Sequence, residues 1–123
     1  MNIEEFREIC LSLDGTTEKM PFGKFARRYD SLLVFYVMGH MYCMIDTDDF
    51  SHIEVRSTAP EIEQLENTYS AVSQPLNKAM RYWVRLDLNS DIPLPKILDL
   101  VRRAYNIIKA KYQRQQPTTT GTI

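Results

Sequence analysis

At 123 residues the chain has room for one core of ordinary domain size, and 44% hydrophobic with 25% charged residues excludes a disordered or fibrous polymer. The formal net charge of −1 hides an uneven distribution: residues 1–69 carry 13 acidic and six basic side chains, residues 70–123 three acidic and nine basic. Such asymmetry steers a polyanion or an acidic partner toward the later segment wherever folding keeps its cations together.

Asn2 followed by Glu5 is a capping pair, and Phe6, Ile9, Cys10 and Leu13 then fall on one helical face until Gly15 stops the run. Pro21-Phe22-Gly23 breaks the chain. Phe25 to Tyr29 predicts a short strand, and Leu32 to Val37 a richer one. Met38-Gly39-His40 forms a turn, with Gly39 supplying positive φ, and Met41 to Asp46 returns as the partner strand. Thr47-Asp48-Asp49 ends it, and His52 to Arg56 alternates Ile53 and Val55 with polar neighbours, the mark of a strand with one wet face.

Thr58-Ala59-Pro60-Glu61 starts a second helix carrying Ile62, Leu65 and Tyr69. Ser70 to Ala79 has no clear period, and Tyr82 to Leu88 reads as one more strand before the turn Asn89-Ser90-Asp91. From Pro93 to Gln113 the residues Ile97, Leu98, Val101, Ala104, Tyr105, Ile108 and Tyr112 draw a stripe at 3.6-residue spacing, the longest helix of the chain. Residues 1–113 thus form one α+β domain, and the polar, threonine-rich segment 114–123 is expected to be a disordered tail.

Acidic residues stand where an export signal needs cations, and the apolar run Leu32 to Met38, flanked by Asp30 and His40, is far shorter than the about 18 residues a membrane helix requires. A cytoplasmic protein without a membrane partner, monomeric or a small homo-oligomer, is the expectation. Cys10 and Cys43 sit inside apolar patterns and read as small buried hydrophobes, not as a disulfide.

Several segments spell a familiar order: Asn2-Ile3-Glu4-Glu5-Phe6-Arg7-Glu8 through Leu13, Met20-Pro21-Phe22-Gly23, the hairpin Leu33 to Met41, Ile45-Asp46-Thr47-Asp48-Asp49, Asn77 to Trp83, and Leu100 to Tyr105. Together they resemble the MmcQ/YjbR (DUF419-type) family along nearly the whole ordered chain. The resemblance implies a fold like that of the frataxin group, a two-layer sandwich with terminal helices packed on one face of an antiparallel sheet. It also implies double-stranded DNA as a ligand. One departure stands out: where family members often carry His-Met-Asn-Lys-Lys-His-Trp, this chain reads Leu76-Asn77-Lys78-Ala79-Met80-Arg81-Tyr82-Trp83 and lacks both histidines.

His40 and His52 have no ligand-spaced partners, and no nucleophile elbow, phosphate loop or dinucleotide fingerprint occurs, so neither catalysis nor a cofactor is expected. Asp46, Asp48 and Asp49 lack the glycine and distal glutamate of a calcium loop and read as a solvated turn. Glu4, Glu5 and Glu8 resemble the acidic ridge of iron-handling proteins, which keeps a metal-binding alternative open. The chemistry-bearing stretch is Lys78 to Arg85, where Lys78, Arg81 and Arg85 interleave with Tyr82 and Trp83. Cations neutralise phosphates and an exposed ring stacks or wedges, while the same residues serve equally as core and solvated surface. Arg102, Arg103 and Lys109 lie off the apolar stripe of the last helix and extend the candidate basic face, with Lys24, Arg27 and Arg28 as a further cluster. The reading is a small non-catalytic binding domain that contacts DNA weakly without reading sequence. A protein-interaction module is the alternative.

Overall fold

A computed structural model of the chain describes residues 1–21 and 31–113. Helix α1 (Ile3–Leu11) starts where Asn2 accepts the Glu5 amide while the Glu5 carboxylate accepts the Asn2 amide, so two terminal donors are met reciprocally. It buries Phe6 and Cys10 and leads into the short strand β1 (Thr17–Lys19). Strands β2 (Leu32–Val37) and β3 (His40–Asp46) form a tight hairpin whose two turn residues, Met38 (φ 55°) and Gly39 (φ 77°), both take positive φ. That backbone matches the twist of the flanking strands. Strand β4 (His52–Arg56) alternates as the sequence does, and α2 (Ala59–Thr68) is capped by Thr58, whose hydroxyl accepts the Glu61 amide. The two-residue β5 (Val72–Ser73), β6 (Trp83–Asp87) and the long α3 (Leu94–Gln113) complete the order.

All strand pairs are antiparallel, in the order β1-β2-β3-β4-β6-β5. The helices cover one face. Ile97, Leu100, Val101, Ala104, Tyr105 and Ile108 of α3 pack with Phe6 and Cys10 of α1 onto Phe35, Tyr42, Ile53, Val84 and Leu86 of the sheet. This is the α+β sandwich expected, with Leu100 in the stripe where Leu98 was predicted to share it; Leu98 is only half-buried. Cys10 and Cys43 are both buried and free in this layer, and burial followed by hydrogen bonding to Cys10 pushes the Cys43 thiol well up. The Tyr105 hydroxyl donates to the backbone carbonyl of Asp14 at 2.6 Å and pins α3 to the turn that follows α1.

The second core, on the opposite face, is small: Val34, Met44 and Trp83, flanked by the half-buried Leu32, Tyr36, Met41 and Met80. The predicted strand Phe25 to Tyr29, the cluster Lys24, Arg27 and Arg28, and the tail 114–123 lie outside the described residues.

Candidate functional site: the open face and one end of the sheet

Among the described residues no helix covers the face built by Val34, Met44, Glu54 and Arg85, which register places side by side across β2, β3, β4 and β6. An irregularity shapes it. Between Phe35 and Tyr36 the pairing slips, so that Phe35 faces Cys43 while Tyr36 faces Met41, and β3 carries one extra residue. Tyr42 and Cys43 can then both enter the helix-side core, whereas Met41 and Met44 both belong to the open face.

The result is a groove of about 720 Å³ with two kinds of wall. Leu32, Met41, Met44 and Met80 make one apolar, and Leu76, 88% exposed, stands at its rim. Asp46, His52, Glu54, Arg85 and Lys78 make the other polar. A smaller recess of about 340 Å³ shares His52 and Arg85 and continues toward Ser73 and Asp87.

The polar wall is unevenly satisfied. Burial raises Asp46, but hydrogen bonds from the Ser31 hydroxyl and the amides of Asp48 and Asp49 outweigh it and hold the carboxyl below its ordinary range. Asp46 thus works as the cap of the turn that follows β3. Burial raises Glu54, only partly countered by the facing Arg85. Burial lowers His52, which is also repelled by Arg85, against the pull of Asp49, Asp46 and Asp87. His52 opens β4, as the predicted strand has it, and is half-buried, with Nδ1 shut away from solvent and without a hydrogen-bond partner among the described residues. Among the described residues neither Arg85 nor Lys78 makes a salt bridge or side-chain hydrogen bond.

The predicted basic residues do not form one surface. Strand alternation puts Trp83 and Arg85 on the open face and sends Val84 and Leu86 to the helices, so the sheet separates Arg85 from Arg102 and Arg103 on the outside of α3. Trp83 is core, 8% exposed, packed with Val34 and Met44. Arg103 is occupied by Glu61 of α2, which also accepts the hydroxyl of the buried Ser57. Arg102 and Lys109 remain on the α3 surface, Lys109 over the Tyr105 ring.

What does assemble is one end of the sheet, where β4 stops and β6 starts. The Ser57 amide donates to the Tyr82 carbonyl at 2.6 Å and ties the two ends together. The Tyr82 ring, 43% exposed, lies near two guanidinium groups, with Arg56 at 5.2 Å and Arg81 at 5.7 Å from its centroid. Arg56 was absent from the sequence-derived set, although its place at the end of a strand opposite Trp83 follows from β4–β6 pairing. His40, at the neighbouring hairpin, stacks on Tyr112 with ring centroids 3.4 Å apart.

Glu5 is used in capping, Glu4 and Glu8 are exposed on α1, and among the described residues no group of three His, Cys, Asp or Glu side chains converges on a metal-sized site. No helix among them is long and apolar enough to cross a membrane.

Fold and surface together define a two-layer α+β domain in which the described helices cover one face of the sheet. A family model described as YjbR matches residues 11–107, and the chain belongs to that family. It is similar to the solved structure of the Deinococcus radiodurans protein DR2400, which carries a DUF419 domain, at 21% identity and a TM-score of 0.78, over 89% of this chain and 80% of that one. It is also similar to a Pseudomonas syringae protein at 16% identity and a TM-score of 0.67, over 88% of this chain and 99% of the other. At such identities the likeness speaks for the fold. No curated protein matches the chain significantly.

Proposed function

We propose that this domain is a non-catalytic binding module that contacts duplex DNA weakly and without sequence preference at the β4–β6 end. The observation that supports the reading is Tyr82, exposed beside the guanidinium groups of Arg56 and Arg81, with Lys78 in the same connecting segment. Cations neutralise phosphates while a ring held among them can lie against a sugar or wedge at a base step. Among the described residues no recognition helix projects from this end, which favours contact with the backbone over reading of base edges.

Three cations, Arg56, Lys78 and Arg81, set the scale. The logarithm of the affinity then falls against the logarithm of salt with a slope of about −3, and Kd at physiological salt lies at about 10⁻⁴ to 10⁻⁶ M. A fluorescence anisotropy titration of a labelled duplex tests this. Arg81→Ala and Lys78→Ala are each expected to weaken binding and to lower the slope by about one. Arg103→Ala, whose guanidinium is held by Glu61, is expected to change it little. Absence of binding at about 100 µM protein in low salt, or indifference to Arg81→Ala, removes the proposal.

A further inference from the structure

The groove on the open face carries a chemistry that duplex DNA does not use. Its volume, about 720 Å³, falls within the roughly 300–1,000 Å³ typical of small-molecule sites. One wall is flexible thioether and leucine, suited to an aliphatic or aromatic body of variable shape. The other presents Arg85, half-buried and without a bonded partner among the described residues, with Lys78 at the rim.

The acids nearby are poor competitors for those cations. Asp46 is taken up by Ser31 and the turn amides, and Glu54, though opposite Arg85 in register, lies beyond salt-bridge distance of it. Beside Arg85, His52 retains one buried polar atom with no hydrogen-bond partner among the described residues. A cationic head would meet Arg85 and Lys78 as like charges, and a flat protein surface would leave the recess between β4 and β6 unfilled.

We infer that this groove is a binding site for a small amphipathic anion, an alkyl or aryl carboxylate, with the carboxylate on Arg85 and Lys78 and the apolar body on Met41, Met44, Met80 and Leu32. Arg85 presents two N–H groups in the fork that a carboxylate matches. The slip in β3 is what places two methionines on the side where the body lies. This site shares Lys78 with the β4–β6 end proposed for nucleic acid, whereas Arg85 and the methionines belong to the groove and Arg56, Arg81 and Tyr82 to that end.

Trp83 is the chain's one tryptophan and shares a cluster with Met44, which lines the groove, so its emission reports on the groove through that contact. The test titrates octanoate, octylammonium and 1-octanol, each below its aggregation limit, following Trp83 emission and backbone amide shifts. Octanoate is expected to perturb Trp83 and the amides of β3, β4 and β6, with each added methylene in the series from hexanoate tightening binding about threefold to fourfold. Arg85→Gln is expected to weaken octanoate at least about tenfold while leaving the salt slope for DNA unchanged. Because that variant leaves Glu54 without its facing cation, Glu54→Gln supplies an independent arm: it keeps Arg85, removes the opposing carboxylate, and is expected to tighten octanoate at neutral pH.

Equal or tighter binding of octylammonium or octanol overturns the inference. So does the absence of any change at about 10 mM octanoate, or shifts confined to the helices. An affinity unaltered in folded Arg85→Gln, no tightening in Glu54→Gln, or self-association through the open face that octanoate fails to displace would each overturn it as well.

Discussion

His52 and Glu54 alternate with core residues along β4 and are half-buried, and their titrations run in opposite directions. Burial, reinforced by Arg85, makes the folded chain resist protonating His52, so the unfolded chain binds more protons below the ordinary value of 6.5. The stability His52 contributes is complete above that value and is lost as pH falls through it. Glu54 behaves inversely: burial raises it above its ordinary 4.5, the folded chain holds the proton longer, and stability declines as pH rises through that window. His52→Gln is therefore expected to flatten the loss of stability as pH falls below about 6.5, whereas Glu54→Gln gains stability at neutral pH and forfeits that gain as pH approaches about 4.5. Urea midpoints collected across pH for both variants check the two signs. Parallel profiles for wild type and His52→Gln would deny His52 its buried role.

At the scale of elements, strands and helices that bury a regular stripe were legible in the residues. The alternation of Ile53 and Val55, the capping pair of Asn2 and Glu5 and the stripe of α3 each predict the element found there. β1 and β5 were not, because an edge strand of two or three residues is too short to show a period and owes its existence to the neighbour it pairs with. The groove was hidden for a related reason: the slip at Phe35 and Tyr36 arises from pairing, and nothing in Met41 to Met44 announces that two methionines share a face. The scattering of the basic set, by contrast, was readable. Period-two alternation in β6 already separates Trp83 and Arg85 from Val84 and Leu86.

The contact between α2 and α3 turns on one carboxylate, since Glu61 accepts from both Ser57 and Arg103. Removing it orphans a buried hydroxyl as well as a cation, and Glu61→Ala is expected to cost about 1–3 kcal/mol. Arg103→Ala takes away an exposed guanidinium and leaves Glu61 its bond to Ser57, a loss of at most about 1 kcal/mol. Denaturant unfolding of the pair measures the asymmetry. Equal losses would mean that the ion pair, not the buried hydroxyl, holds the corner.

Over the whole molecule, the acidic first half and basic second half do not become opposite poles. Pairing of β4 with β6 sets Glu54 against Arg85, and an ion pair between α2 and α3 joins Glu61 to Arg103, so folding mixes the two halves. The same architecture makes α3 inseparable from the sheet, because its stripe packs on β2, β3 and β4 at once. Leu100 sits at the centre of that stripe, 1% exposed. Truncation to alanine removes its contacts and leaves a cavity, at a cost of about 2–5 kcal/mol. Against a total of about 5–15 kcal/mol for a domain, that is a large share. Trp83 lies on the far side of the sheet from α3, so it reports whether the sheet outlives its helix. Leu100→Ala is expected to lower the urea midpoints of Trp83 emission and of helical circular dichroism by the same amount, in one transition. Loss of the helical signal at a lower denaturant concentration than the tryptophan signal would instead make the sheet a structure that stands without α3, and would confine the role of the long helix to covering a face already folded.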